Sequence, residues 1–443
     1  MESRIGVSRR TFLKGATAGL GLSIVSPRAA GEALGRVSGL VGQYDAAVPD
    51  AHAQMLLRLV TSTPGFTPPV VSRVMGYFGV ALYESLVPGM PGYRSLHRLL
   101  TGFPLIAETP RSSMHWPTVA NHALGTVVRG LFPTGAPMLG SLAAMMDEID
   151  AGSGIPGPMM RRSVDRGETV SNLVLDWASS DGGHEGYLRN FPAGYVSPAG
   201  LGLWEPTPPA FQPIPLQPYW GDNRAFLAWA CVVPPPPEYS VDPTSRFYDY
   251  AREVYETGLD LTPEQAEIAL FWADDPGTVT PPGHSLSMLR QTLSDEDASL
   301  HRAAESYLRV GCALADAFIQ CWRTKYAWNL VRPVTYIRAH FDPTWSPLVI
   351  TPPFPEYTSG HSSQSAAWAE VMTSLFGDGY EFTDGTHGDA GLAPRSFRSF
   401  REAAGEAAVS RLYGGIHYRF GNENGFDAGT CVGRGVAALP LSR

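Results

Sequence analysis

Three segments decide the reading of this chain: Lys325–Pro333 (KYAWNLVRP), Phe354–Ser363 (FPEYTSGHSS) and Ser410–Phe420 (SRLYGGIHYRF). Each stands at the edge of a helical pattern. Leu300, Ala304, Leu308, Gly311, Leu314, Phe318 and Trp322 repeat at three–four spacing, which predicts a helix from about Asp295 to Thr324 that Lys325 closes. Arg332 directly precedes Pro333, and a residue before proline avoids the α region, so the helix has ended by then. Ser359 is placed as the N-cap of a helix carrying Ala366, Ala367, Val371 and Leu375. The pair Gly414-Gly415 stops a predicted helix over Phe400–Tyr413 and lets Arg411 and His417 face one point from different directions. Together the segments supply a lysine point charge, two guanidinium forks, a helix N-terminus with a close-approach glycine at Gly360, and two imidazoles, His361 and His417. That inventory suits a tetrahedral oxyanion. Taken singly, each piece is as readily a solvated helix end, an ordinary cap or a core histidine.

Outward from these segments the pattern stays helical. Pro68 to Leu86, Trp116 to Val127, Met138 to Ile149 and Val164 to Trp177 carry apolar stripes at helical spacing, and strand-like alternation is scarce. Helices resume near Pro243, with Thr262-Pro263-Glu264-Gln265 read as an N-cap followed by proline at the first helical position. Between Pro192 and Pro237 lie 12 prolines, with Trp204, Phe211, Tyr219 and Trp220 among them. This aromatic content predicts an ordered irregular segment rather than a flexible linker. The expected fold is all-α: two four-helix-bundle-like halves, 48–190 and 243–443, joined by an ordered proline-rich segment, 191–242.

Residues 1–30 read as an export signal. Ser8-Arg9-Arg10-Thr11-Phe12-Leu13-Lys14 is a twin-arginine sequence, followed by a weakly apolar run and small residues near Ala29-Ala30. The expected location is periplasmic or secreted. A formal net charge of −9 argues against a generic nucleic-acid partner. No apolar run in the sequence reaches the ~20 residues a membrane span needs. The 4 cysteines are too few for a disulfide scaffold, and without CxxC or HExxH spacing a zinc site has little support.

The ordered set K-x6-RP, SGH and SR-x5-H resembles the three-part motif of the vanadium-dependent haloperoxidase and type 2 phosphatidic-acid-phosphatase superfamily. PPVVSRVMGYFGVALYES, FWADDPGTVTPPGH and ADAFIQCWRTKY also resemble segments of its soluble bacterial haloperoxidase-like members. The resemblance implies that Lys325, Arg332, Ser359, Gly360 and Arg411 hold a vanadate or phosphate, and that His417 is the metal ligand or the nucleophile. In a haloperoxidase, hydrogen peroxide and halide are the substrates, with a small organic acceptor in some cases. Lys325 then polarises bound peroxide and His361 moves the proton. In an exported acid phosphatase, His417 forms a phosphohistidine and His361 serves the leaving group. A non-catalytic oxyanion binder is a third reading. The length of the chain and its helical region ahead of the motifs favour the haloperoxidase. Trp322 and Phe354 are candidates for a halide pocket, and His284, with Asp274 or Asp275, for supporting contacts. His184 and His387, in Gly/Asp-rich loops, are expected to face solvent. A homodimer is left open. Two positions depart from the usual pattern: Thr358 replaces a proline, and Gly421 replaces an acidic residue four positions after the histidine. That leaves Glu423 or a backbone carbonyl as the expected partner of His417.

Overall fold

The computed structural model describes residues 40–107, 114–228, 230–275 and 277–442; the predicted signal, 1–30, lies outside them. Thirteen α-helices and two short strands make up the regular structure among the described residues. The first five helices are α1 (Ala47–Ser62), α2 (Pro68–Leu86), α3 (Trp116–Leu131), α4 (Leu139–Gly152) and α5 (Gly157–Ser179). Then come α6 (Arg246–Leu259), α7 (Pro263–Phe271), α8 (Thr280–Asp295), α9 (Leu300–Trp328), α10 (Pro333–His340) and α11 (Gly360–Phe376). The strands β1 (Phe382–Asp384) and β2 (Arg395–Phe397) precede α12 (Phe400–Tyr413) and α13 (Arg419–Ala437).

Local signals account for most boundaries. Thr262 and Gln265 form a reciprocal capping box, with the Thr262 Oγ1 accepting from Gln265 N at 3.2 Å and Gln265 Oε1 from Thr262 N at 3.0 Å. Ser299, Ser359 and Ser399 each cap the helix that follows. The predicted helix from Asp295 starts later, at Leu300, and runs past Lys325 to Trp328, where Asn329 in the left-handed conformation ends it. Four helices have no counterpart among the sequence expectations: α1, α10, α13, and α8, whose Pro281 and Pro282 occupy the first turn where a missing N–H costs nothing.

Helices α2 and α9 pack against each other along their lengths and join the two sets of helices in one apolar core. The stretch Pro68–Gly89 does reach the length and apolarity of a membrane span, contrary to the expectation from the sequence. Its most apolar window is 94% buried by the protein itself, which accounts for its hydropathy as that of a central core helix. In the second half, α13 presents Gly425, Gly429 and Gly433 to α11 and its cap, and Gly421 to Glu356. A Cβ at Gly429 would stand 1.9 Å from the Ser363 carbonyl oxygen, so only glycine lets these backbones approach this closely.

The proline-rich segment is ordered. It buries Trp204, Leu216, Trp220 and Phe226, and its backbone is tied to the second half. Leu216 O accepts from Trp322 Nε1 at 3.2 Å, and Leu216 N donates to Pro353 O at 2.8 Å. The N–H groups of Phe226 and Leu227 donate to Asp316 at 2.7 and 2.9 Å. Cys231, at its end, is disulfide-bonded to Cys431 on α13, while Cys312 and Cys321 are buried free thiols.

Candidate oxyanion site

The site forms where five helices end. Lys325 comes from the last turn of α9, and Arg411 from the last turn of α12. Arg332 is the N-cap of α10, Ser359 the N-cap of α11, and His417 directly precedes Tyr418, the N-cap of α13. Three helix N-termini with their partial positive charge therefore meet three cationic side chains.

The cations are fully buried and held by backbone carbonyls rather than by counter-ions. Lys325 Nζ donates to Pro355 O at 2.9 Å and Glu356 O at 2.8 Å. Arg332 donates through Nε to Phe354 O and through Nη1 to Ile416 O, both at 2.8 Å. Arg411 donates through Nε to Ser410 Oγ at 2.9 Å and through Nη2 to Ala269 O at 3.0 Å. What remains unspent is informative: Arg332 Nη2, Arg411 Nη1 and His361 Nε2 are buried without a hydrogen-bond partner. Leaving buried polar groups unmet is costly, and the two guanidinium N–H groups among them suit an anionic guest. The Trp322 and Phe354 rings, 5.0 Å apart, pack beside the cations, with Lys325 Nζ 5.0 Å from the Phe354 centroid and 5.7 Å from that of Trp322. Both rings belong to the core and line the site at the same time.

Burial without compensation shows in the titration of each group. It pulls the Lys325 ammonium down to about 7, with Arg332 adding to it, and the Arg332 and Arg411 guanidiniums to about 10. A dianion among them would raise all three again. The sign for binding follows from Lys325. Below about pH 7 it is already charged, so an anion binds without proton uptake; above that, each binding event must bring in a proton. Affinity for sulfate, whose own charge is constant in this range, is expected to fall by up to ~10-fold per pH unit above 7. Calorimetric titration between pH 6 and 9 checks this, and a flat profile would contradict it.

The two histidines are neutral and oppositely placed in function. Burial, with Arg332, Lys325, His361 and Arg411 nearby, holds His417 well below its usual range. Burial and Arg411 do the same to His361. The Trp272 backbone works the other way, favouring a proton on the His361 ring, while Nε2 has no partner. Its Nε2 is thus the ring atom left available for proton transfer.

His417 has a carboxylate partner, and it is neither Glu423 nor a backbone carbonyl. Glu356 Oε1 stands 2.8 Å from His417 Nδ1 and accepts from Tyr418 N at 3.0 Å. Burial pushes Glu356 up to about 7, opposed by Lys325 and Arg332. With two N–H groups on one oxygen, His417 carries its proton on Nδ1, leaving the Nε2 lone pair in the site, 3.2 Å from Arg332 Nη1. Gly421 is what admits this arrangement: a Cβ there would lie 2.2 Å from Glu356 Oε1. The acidic residue absent from position 421 is supplied by the second motif, three residues before Ser359. Its presence in an otherwise apolar and small-residue stretch was the available signal.

His284 takes no direct part in the site. It lies behind it, bonded to Asp274 and to Asp384, which no sequence pattern had singled out. His387 is buried against the same Asp274, contrary to the expectation of a solvent-facing side chain. The pairing of β1 with β2 turns Asp384 inward and draws the following loop, with His387, under Phe271.

The comparisons agree with this geometry. A family model described as the second helical-bundle domain of VCPO matches residues 305–440. The vanadium chloroperoxidase of Curvularia inaequalis is 23% identical over 256 residues, 42% of this chain and 42% of that protein. The chain thus aligns with less than half the length of that curated relative. A crystal structure described as the first bacterial vanadium-dependent iodoperoxidase is 33% identical, covers 90% of this chain and 98% of its own, and superposes with a TM-score of 0.83. A holo-type bacterial vanadium-dependent chloroperoxidase shares the fold, with 16% identity, 86% and 93% coverage and a TM-score of 0.68. With the three motifs gathered in one buried cage and a full-length relative at this identity, the chain belongs to the vanadium haloperoxidase family.

Proposed function

We propose that this protein oxidises halide with hydrogen peroxide at a vanadate held in the cage, releasing hypohalous acid or halogenating a small organic acceptor. The observation that carries this reading is the set of unspent buried donors, Arg332 Nη2 and Arg411 Nη1, beside a His417 whose Nε2 lone pair is met only by Arg332 Nη1 at 3.2 Å. Vanadate fits that donor set in charge and chemistry. His417 Nε2 would hold the metal, and Lys325, Arg332, Arg411, Ser359 and the Gly360 N–H would hold the oxygens. When bound, vanadate supplies a Lewis acid that activates peroxide without redox change of its own.

The chain's own residues do the rest. Glu356 fixes the His417 tautomer and raises its basicity. Lys325, held by two carbonyls, offers its remaining N–H to an oxygen from which charge must be drawn. His361 Nε2 accepts the proton that hydrogen peroxide gives up and can return it to the leaving oxygen. Trp322 and Phe354 keep water from the cations, and the proline-rich segment holds Trp322 in place. Export by the twin-arginine route accords with the Cys231–Cys431 disulfide, which needs an oxidising compartment.

A phosphatase would use the same cage, with His417 attacking phosphorus. The non-catalytic binder loses its motive, because the carboxylate that Gly421 lacks is present in Glu356. The test is a pair of assays on the purified mature chain. One is iodide and bromide oxidation with peroxide, with and without vanadate. The other is aryl phosphate hydrolysis without vanadate. Vanadate-dependent halide oxidation that excess phosphate suppresses is expected. Steady phosphate ester turnover with no vanadate-dependent oxidation would replace this reading with the phosphatase.

A further inference from the structure

Behind the cage, four chemistry-bearing side chains from three separate parts of the chain meet in the interior. Asp274 comes from the loop after α7, His284 from the first turns of α8, and Asp384 and His387 from β1 and the loop that follows. Asp274, His284 and Asp384 are at most 6% exposed and His387 is 8% exposed. One ligand atom each from Asp274, His284 and His387 lies within 4.8 Å of the others. His284 Nδ1 is 3.1 Å from Asp274 Oδ2, and His387 Nε2 is 3.1 Å from Asp274 Oδ1. In a tetrahedral site with metal–ligand bonds of ~2.0–2.1 Å, neighbouring donors stand roughly 3.3 Å apart.

Two further observations point to a ligand. First, His387 Nε2 is buried and makes no hydrogen bond, although it lies against a carboxylate. A histidine kept only to neutralise Asp274 would be expected to donate to it along a bonding direction. Second, the far nitrogen of His284 is already held as metal-bound histidines are held. Nε2 faces Asp384 Oδ2 at 2.6 Å, and the other oxygen of Asp384 accepts from Thr386 Oγ1 at 2.6 Å and Thr386 N at 2.9 Å. A carboxylate locked by its own hydrogen bonds, locking in turn an imidazole, is the arrangement that orients a ligating histidine.

We propose that Asp274, His284 and His387 form a second, structural metal site that takes a divalent ion of the zinc class, with Asp384 orienting His284. Two neutral imidazoles and one carboxylate are borderline donors that suit zinc rather than calcium or magnesium. The remaining position is open to the second oxygen of Asp274 or to a water. The two carboxylates balance the charge of the ion. The absence of any short zinc-binding spacing is no obstacle, because Asp274 and His387, 113 positions apart in sequence, meet at 3.1 Å in the fold. The competing arrangement has no ion: His284 then carries protons on both nitrogens between the two carboxylates, and His387 keeps only its 3.1 Å ion pair with Asp274 Oδ1.

The test uses the mature chain without a polyhistidine tag, stripped by chelator, exposed to zinc alone and desalted. Elemental analysis is expected to find one zinc per chain in the wild type and in His417→Ala, and at least a tenfold loss of occupancy in His387→Gln. Zinc should raise the melting temperature of the wild type and leave that of His387→Gln unchanged. The metal-free forms should melt alike, which separates lost binding from misfolding. Absence of stoichiometric zinc in the wild type would overturn the proposal. So would zinc retained in His387→Gln, or zinc lost in His417→Ala, which would put the ion in the oxyanion cage.

Discussion

His417→Ala is expected to remove vanadate-dependent halide oxidation, a loss of roughly 1,000-fold or more in kcat/KM, while the protein stays folded. The size of the effect follows from what the side chain supplies. Its Nε2 lone pair faces a cage lined by cationic donors, and its position is set by Glu356 from one side and Arg332 from the other. Removing it would take away the bond proposed to hold vanadate to the protein. Arg332, Arg411 and Lys325 remain, so oxyanion binding should weaken far less than turnover. The check is to measure both: halide oxidation at saturating vanadate, and sulfate or phosphate affinity by calorimetry. A variant that keeps oxidation within tenfold of the wild type would remove His417 from the role given to it.

Gly421→Ala is the second large effect. The added methyl would sit 2.2 Å from Glu356 Oε1 and 2.9 Å from its Cδ. Neither α13 nor the Glu356 backbone can yield easily, because Gly425 and Gly429 bring α13 within contact of the Ser359 and Ser363 backbones. Overpacking of this kind costs about 1–3 kcal/mol. Displacing the carboxylate also frees the His417 ring, for a further 10–100-fold in activity or vanadate affinity. A relocated carboxylate separates the two contributions. Glu356→Ala/Gly421→Asp clears the space and then places an acidic group in the first turn of α13, where the helix dipole favours it. Halide oxidation and vanadate affinity in the double variant are expected to exceed those of either single substitution. If the double variant is no better than Glu356→Ala, position 421 matters for packing only.

Helices α2, α3, α6, α7 and α12 were legible because their apolar stripes and caps are local properties of consecutive residues. So were the cage residues, whose motifs lie at helix ends that proline, serine and glycine mark. What escaped was set by distance. Glu356 is 61 positions from the histidine it orients, and its role depends on the missing side chain at Gly421. His387 looked solvent-facing among Gly and Asp residues, yet the pairing of two three-residue strands carries it inside. Helix α8 was hidden by its opening prolines, which elsewhere in the chain mark irregular structure. These are tertiary facts, and no periodicity encodes them.

The most direct measurement is a crystal structure of the mature protein soaked in vanadate. The expected result is vanadate bonded to His417 Nε2, with its oxygens in contact with Lys325, Arg332, Arg411, Ser359 and the Gly360 N–H. Vanadate bound elsewhere, or held in the cage with His417 turned away and Glu356 unpaired, would contradict it.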